Sequence, residues 1–267
     1  MSKKARNLPF SLSYFRKQGQ LELLAYETGV HLGDGRMGEK RYACENWRIN
    51  RYIQYTGDLV NEKYYYEYVL QPLLVKLYNI KLLLHSKERD HTCTLFTRQK
   101  DVFEFKKRLQ LPIGKKINIQ IPPFIKDTLQ KDFLRGFADT DFGLTFKNRK
   151  KTGRSYPVIT FKTSDQQLVI RFAKILRQLG FDVNTYFNLK NIHKKSPVGY
   201  YIDHSLEING RQNLEKWIKI IGFWSPKHLS KYLLWKATGS CPISTTTEHR
   251  CKVLKDLGIE LKHYLPL

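Results

Sequence analysis

Two aspartates, Asp34 and Asp141, occur near the ends of two segments of similar pattern. The segments are ETGVHLGDG at 27–35 and LRGFADTDF at 134–142. The two segments lie about one small domain apart along the chain. In each, a small residue is followed four positions later by another, and the aspartate comes directly after the second. Carboxylate oxygens are the ligands that hard divalent cations prefer, so a matched pair of aspartates predicts a metal site that could activate water.

The elements that must position these aspartates are helices, because small residues spaced by four let two helix backbones approach closely. If the two helices cross, both carboxylates lie at negatively charged helix C-termini and repel each other by roughly 3 kcal/mol at ~5 Å. A bound divalent cation reverses both unfavourable effects. We therefore expect a close helix pair with a metal site at its end, and these contact residues: Ala25, Gly29, Gly33, Gly136 and Thr140.

The net charge of the chain describes a partner rather than a fold. Lys and Arg number 47 against 24 Asp and Glu, which gives a formal charge of +23. Such an excess favours a polyanion, and no run of apolar residues approaches the ~18 needed to cross a membrane. Nucleic acid is the expected partner, and a membrane is not. The four cysteines are widely spaced and predict reduced thiols in an intracellular protein, in the cytoplasm of a prokaryote or in an organelle.

The residues after each aspartate repeat one order of elements, in which two strands, a helix, two strands and a helix follow the first helix. In the first unit, the pattern predicts strands at 41–50 and 51–58 joined near Asn50. A helix opening at Asn61 follows them, with a kink or break at Pro72.

The repeat divides the chain into five predicted parts. They are a basic N-terminal arm at 1–18, a first domain at 19–111, a linker at 112–125, a second domain at 126–222 and a C-terminal helical extension at 223–267.

The C-terminal extension has no counterpart after the first unit. Ser225 and Pro226 predict the start of one helix, and Thr245 with Glu248 predicts a capping box for a last helix that stops at Gly258. We expect this extension to pack on the second domain or on the nucleic acid.

The two segments resemble the motifs of the LAGLIDADG homing endonuclease family in its single-chain form. The first matches at Gly29, Gly33, Asp34 and Gly35. The second departs from the family pattern at Phe142, where glycine is usual, and matches at Leu134, Gly136, Asp139 and Asp141. The role of Asp139 stays open between structural hydrogen bonding and a direct part in the chemistry.

The resemblance implies an α+β fold of two pseudo-symmetric αββαββα domains with antiparallel four-stranded saddle sheets, plus the C-terminal helices. It also implies a site-specific double-stranded DNA endonuclease that uses Mg²⁺ or another divalent cation. The catalytic residues would be Asp34 and Asp141, with Lys162 near the scissile phosphates. The backbone carbonyls of Gly33 and Thr140 would complete the metal site.

Basic residues on the predicted strands and hairpins are the candidates for DNA contacts, because an antiparallel sheet with one open face can lie in a major groove. These candidates are Arg36, Lys40, Arg41, Arg48, Arg51, Lys147, Arg149, Lys150, Lys151, Arg154, Lys194 and Lys195.

Other functions of the same fold stay open at this point. An intron maturase would bind intron RNA, with or without cutting DNA, and a transcription regulator would keep the fold without the acids. Because both aspartates are present, the regulator is disfavoured, and a general basic chromatin protein would not need them. The resemblance favours an intron-encoded, monomeric enzyme that cuts both strands of a long asymmetric site.

Overall fold

The computed structural model describes residues 9–42, 48–80, 82, 84–148, 155–192 and 199–266. In this part of the chain two antiparallel four-stranded sheets are each accompanied by helices, and the same order of elements occurs twice. The expected α+β architecture of two αββαββα units followed by C-terminal helices is therefore confirmed. None of the described helices is long and apolar enough to cross a membrane.

The first unit opens with a short helix, α1, and then contains all the elements of one repeat. The bounds are α1 Leu12–Lys17, α2 Leu21–Gly33, β1 Gly35–Tyr42, β2 Arg48–Asp58, α3 Leu59–Tyr65, α4 Gln71–Tyr78, β3 Leu84–Lys87, β4 Thr92–Thr97 and α5 Lys100–Arg108.

The second unit repeats this order, and two further helices follow it. The bounds are α6 Asp127–Asp141, β5 Phe142–Asn148, β6 Ser155–Thr163, α7 Gln166–Gln178, β7 Asn184–Ile192, β8 Tyr200–Asn209, α8 Arg211–Ile220, α9 Pro226–Thr238 and α10 Thr247–Asp256.

Both sheets have the same strand order, β1-β2-β4-β3 in the first unit and β5-β6-β8-β7 in the second. The predicted turn near Asn50 is wrong, because β2 already begins at Arg48 and Asn50 pairs with Lys40 on β1. Ile49, Ile53 and Tyr55 share one face of β2, so the alternation continues through Asn50 without a break.

Helices α3 and α4 are joined by a single π-helical turn at Tyr66–Leu70, which precedes Pro72 at the start of α4. The interruption expected at Pro72 is therefore placed one turn earlier. Proline is tolerated in the first turn of a helix, where its missing N–H is not needed. Tyr66, the first residue of the π-helical turn, donates its hydroxyl to the first candidate aspartate, Asp34, at 3.0 Å.

The core of the first domain contains a buried ion pair between Glu27 on α2 and Lys106 on α5. The two carboxylate oxygens of Glu27 also accept hydrogen bonds from the hydroxyls of Tyr55 and Tyr78, the latter at 2.8 Å. Buried charges are tolerated when they are paired and hydrogen-bonded in this way. The network ties α2 to β2, α4 and α5, and so fixes the helix that carries the first aspartate.

The C-terminal helices contact both domains, so the expectation that they pack on the second domain or on DNA is wrong in part. The hydroxyl of Thr247 donates to the carbonyl of Asn61 on α3 at 2.9 Å. Lys231 on α9 donates to the carbonyl of Leu144 on β5 at 3.0 Å. The extension therefore bridges the two units.

The ends of these last helices differ partly from the sequence prediction. Helix α9 begins at Pro226 as predicted, but the Ser225 side chain makes no capping hydrogen bond. Helix α10 is capped by Thr246, whose side chain accepts from the N–H of His249, so the capping box assigned to Thr245 is wrong by one residue. The hydroxyl of Thr245 instead donates to the carbonyl of Pro242 at 2.8 Å, which removes it from the cap.

Candidate active site at the helix crossing

The two motif helices, α2 and α6, pack backbone to backbone. A β-carbon built on Gly29 would lie under 3.0 Å from backbone atoms of Phe133 and Phe137. A β-carbon on Gly136 would meet the backbone of Tyr26 and would lie 3.1 Å from the nitrogen of Val30. Ala25, which is also on α2, is fully buried. The small residues therefore occupy the crossing, as their spacing predicts.

The crossing brings the two aspartates to the same end of the helix pair. Gly33, just before Asp34, lies so close to α6 that a β-carbon there would collide with Thr140 and with Oδ2 of Asp141. Asp34 is partly exposed and accepts a hydrogen bond from the Tyr66 hydroxyl at 3.0 Å. Asp141 is exposed. Both carboxylates are thus adjacent and open to a ligand.

The surrounding protein makes the charged form of both carboxylates costly. Desolvation by the surrounding protein raises the pKa of Asp34 well above its usual value, and repulsion from Glu62 and Asp141 adds to the rise. Desolvation by the surrounding protein also raises the pKa of Asp141, although the residue is exposed to solvent on one side. The positive charge of Lys116 opposes this rise. A cation placed between them would relieve the repulsion and favour ionisation of both.

The two aspartate carboxylates fit a divalent cation that takes its remaining ligands from water or a bound phosphate. Among the described residues no three His, Cys, Asp or Glu side chains are grouped so that they could hold a metal. Two adjacent carboxylates open to solvent suit Mg²⁺, which is commonly bound by one or two carboxylates together with water and phosphate oxygens. The carbonyl of Gly33, one of the predicted ligands, accepts a hydrogen bond from Lys116.

Lys116 comes from the linker between the two units. The N–H of Gly114 donates to the carbonyl of Met37 at 2.8 Å, so the linker lies along the free edge of β1. From there the Lys116 ammonium donates to the carbonyls of Leu32 and Gly33, the former at 2.8 Å. Its pKa is lowered by burial, while Asp141 and Asp34 act in the opposite sense. Lys116 is therefore next to the carboxylate pair.

Lys227 reaches the same place from the C-terminal extension. It forms an ion pair with Glu62, and its charge lowers the pKa of both Asp34 and Asp141. Lys116 follows the end of α5 at Arg108 by about as many residues as Lys227 follows the end of α8 at Ile220. The two lysines are thus related by the same internal repeat as the aspartates.

Lys162, the lysine predicted from the sequence, lies elsewhere. Its ammonium is 3.1 Å from Asp203 and donates to Asn191 at 2.9 Å, on the open face of the second sheet. These partners belong to β7 and β8, away from the motif helices. The structure therefore places Lys116 and Lys227, and not Lys162, beside Asp34 and Asp141.

Phe142, which replaces the usual motif glycine, does not disturb the site. Helix α6 includes Asp141, whereas α2 ends at Gly33, one residue before Asp34. The backbone therefore leaves the two motif helices in different ways. Phe142 begins β5 with extended backbone and stacks on Phe161 with ring centroids 5.0 Å apart. In the first unit a β-carbon on Gly35 would collide with His31. The change is accommodated by the core of the second domain.

Asp139 has a structural role in the described contacts. It is buried, and its oxygens accept from the Tyr26 hydroxyl at 2.6 Å and from the N–H groups of Trp224 and Ser225, each at 3.0 Å. Burial raises the pKa of Asp139 to about 6, against the effect of these hydrogen bonds. The residue joins α2, α6 and the start of the extension.

Candidate nucleic-acid interface on the sheets

The open face of the first sheet carries cations and polar groups. The register pairs Arg36 with Gln54 and Lys40 with Asn50, and Gln54 in turn pairs with Phe96. Residues that point to this face line a shallow depression: Arg36, Lys40, Asn50, Tyr52, Gln54, Phe96 and Arg98. Arg98 was not among the candidates, although it follows β4 directly and stacks over Phe96.

Arg51 lies on the opposite face. Its guanidinium contacts Glu39 at 3.1 Å and Glu104 at 3.3 Å, and it lies over the ring of Phe103 on α5. This face packs against helices, so the assignment of Arg51 to DNA contacts is wrong. The alternation of β2 already indicates this, because Arg51 and the buried Ile53 share one face.

The remaining candidates are divided between described and undescribed residues. Lys147 is on the open face of the second sheet, 3.4 Å from Glu207. Arg41 and Arg48 pair with Ile49 and Tyr42 in the register of β1 and β2, but their side chains lie outside the described part of the chain. The following predicted contacts lie wholly outside the described residues: Arg149, Lys150, Lys151, Arg154, Lys194 and Lys195.

We predict that the open face of the first sheet, and not its helical face, contacts phosphates. Changing Arg36 and Arg98 to glutamine should weaken DNA binding and reduce the slope of log K against log salt by about 0.9 for each lost contact. The control is Arg51→Gln, which removes one positive charge from the other face of the same sheet and is compared with the Arg36→Gln and Arg98→Gln single variants. Affinity measured by fluorescence anisotropy at several salt concentrations tests this, and an equal slope change in the control would contradict it.

Comparison with known proteins agrees with this geometry. Residues 128–222 match the family model of the LAGLIDADG-like domain. The structure of the I-LtrWI LAGLIDADG homing endonuclease bound to target DNA is similar, with a TM-score of 0.56, 12% identity, and coverage of 82% of this chain and 89% of that chain. A mutant of I-SmaMI gives a TM-score of 0.55, 11% identity, and coverage of 80% and 90%. No curated protein sequence matches significantly.

The fold and the paired motif helices define a two-domain α+β protein with a duplicated arrangement of helices and sheets. Residues 128–222 are a LAGLIDADG-like domain, and the chain as a whole has the fold of LAGLIDADG homing endonucleases. The resemblance drawn from the two motif segments is confirmed.

Proposed function

We propose that this protein is a site-specific, metal-dependent endonuclease that cuts both strands of double-stranded DNA as a pseudo-twofold monomer. The observation that carries the proposal is the meeting of Asp34 and Asp141 at the helix crossing, beside two sheets with open faces. A long asymmetric target follows from the different side chains of the two sheets. The LAGLIDADG homing endonuclease I-LtrWI, which shares the fold, was solved bound to its target DNA, and this supports DNA as the substrate.

The residues of the site have separate roles in this proposal. Asp34 and Asp141 would hold a divalent cation, Mg²⁺ in the first instance. When bound, it would supply Lewis-acid activation of water and stabilise negative charge on the departing oxygen. Tyr66 orients Asp34 through its hydroxyl. Lys116 and Lys227 donate hydrogen bonds to phosphate oxygens and neutralise charge there as it develops.

The reaction is an in-line hydrolysis at each strand. A water oxygen loses a proton to the solvent and forms a bond to phosphorus, the P–O3′ bond breaks, and the departing 3′ oxygen takes up a proton from the solvent to become a hydroxyl. The products carry a 5′ phosphate and a 3′ hydroxyl. The proposal also includes that the gene for this protein lies within an intron, as the family resemblance suggests.

Cleavage of a randomised duplex library in Mg²⁺ tests the proposal. We expect discrete products cut on both strands, and we expect a chelator to stop cleavage but not binding, because binding rests on the cationic sheets. Equal cleavage in excess chelator would contradict a metal-dependent enzyme. The alternative of an intron maturase is tested in parallel by splicing of intron RNA. Splicing without DNA cleavage would favour it.

A further inference from the structure

The two lysines beside the carboxylates are held by different partners. Lys227 forms its ion pair with Glu62, and the side chains are only 20% and 9% exposed. The other carboxylate oxygen of Glu62 accepts the N–H of Asp58 at 2.8 Å, which fixes it to the first turn of α3. Glu62 therefore cannot follow the lysine if Lys227 moves towards DNA.

Lys116 has neutral partners instead. It donates to the carbonyls of Leu32 and Gly33. Helix α7 begins with the same capping arrangement as α3, in which Asp165 accepts from Leu168 as Asp58 accepts from Asn61. The position that corresponds to Glu62 is then Val169, which is fully buried and carries no charge. The repeat is thus symmetric in its lysines and asymmetric in the acid that holds one of them.

This asymmetry affects how readily each lysine can reach a phosphate. Both lysines donate charge-assisted hydrogen bonds, but the Glu62 carboxylate adds the attraction of a full opposite charge that a carbonyl group lacks. The charge of Glu62 also opposes the approach of an anionic phosphate to Lys227, and a largely buried pair is screened little by salt. Both ammonium groups interact with Asp34 and Asp141, but only Lys227 must also give up or share a carboxylate that it contacts directly, because the direct partners of Lys116 are carbonyl groups.

We propose that Glu62 restrains Lys227 and makes the DNA strand served by Lys227 the slower of the two to be cut. The inference rests on the proposed endonuclease function and adds an order of strand cleavage to it. Glu62 is a positioning residue in this scheme, since it acts on the reaction through Lys227. The first product is then a nicked duplex, with the break in the strand served by Lys116.

The extension does not depend on this ion pair for its attachment. Asp139 holds the N–H groups of Trp224 and Ser225, and the buried Arg250 donates to the carbonyl of Lys227 at 3.3 Å. Thr247 is bonded to Asn61. Glutamine at position 62 can still accept from Asp58. Glu62→Gln should therefore fold with α9 in place.

The experiment measures the nicking rate of each strand on a selected duplex with both strands labelled. Lys116→Met and Lys227→Met first assign a strand to each lysine. Glu62→Gln should then accelerate only the Lys227 strand, by about tenfold, the factor expected for release of one charge-assisted hydrogen bond. The double variant Glu62→Gln with Lys227→Met should cut at the rate of Lys227→Met alone. The control is Glu67→Gln, which removes an equal charge from the more exposed Lys63–Glu67 pair nearby.

The outcomes separate this inference from the proposed function. If the wild-type protein cuts neither strand, the endonuclease proposal fails and the inference fails with it. If the wild type cuts but Glu62→Gln leaves the ratio of strand rates unchanged, slows the Lys227 strand, or changes both strands equally, only the restraint by Glu62 is overturned. The same holds if both lysine variants slow the same strand.

Discussion

Replacing either Asp34 or Asp141 by asparagine is expected to abolish double-strand cleavage while DNA binding stays nearly unchanged. Each change removes one of two adjacent anionic ligands, and we expect a loss of at least about 10³-fold in the cleavage rate. Asparagine at position 34 can still accept from Tyr66, and Asp141 is exposed, so both variants should fold. Binding rests on the sheets and keeps its affinity.

Strand-resolved cleavage rates and affinities of the two variants test this expectation. The control is Asp256→Asn, which removes an exposed carboxylate from α10 at the far end of the extension. If one variant instead nicked a single strand at the full wild-type rate, each aspartate would serve its own independent site. That result would contradict a shared centre at the helix crossing.

Replacing Gly136 by alanine is expected to lower the free energy of unfolding by about 4 kcal/mol or more, or to prevent folding. The added β-carbon would be driven into the backbone of Tyr26, and backbone cannot move aside as a side chain end can. Helices α2 and α6 form the interface between the two units, so a displacement of one helix from the other also separates Asp34 from Asp141. Residual folded protein should therefore have lost cleavage as well.

Denaturant unfolding of Gly136→Ala beside Gly143→Ala tests this effect. A β-carbon on Gly143 would meet chiefly the Thr160 hydroxyl at 3.0 Å, which can rotate away, so this control should cost far less. Equal stabilities of the two variants would show that the helix crossing tolerates side chains and is packed more loosely than the contacts of Gly136 indicate.

The amino-acid order is enough to predict those features of this protein that depend on local periodicity. The small residues at Gly29 and Gly136 belong to motifs spaced at the helical period, so the amino-acid order is enough to predict their shared face and their crossing. The aspartates follow directly on the same helices. The repeat around them predicts two units with the same order of elements, and the family resemblance implies the α+β fold. The prediction that Arg51 contacts DNA is wrong, because basic character alone does not say which face of a strand a residue occupies, and Arg51 alternates in step with the buried Ile53.

The cations that lie beside the aspartates are placed by long-range packing and do not follow from the amino-acid order. Lys116 and Lys227 lie on segments that follow the last helix of each unit, and no local period distinguishes them from other lysines in a chain of charge +23. Their positions depend on how the linker lies along the edge of β1 and how Asp139 holds the extension. A long side chain in such a segment is placed by packing between distant parts of the chain, so its partners could not be predicted from sequence spacing alone.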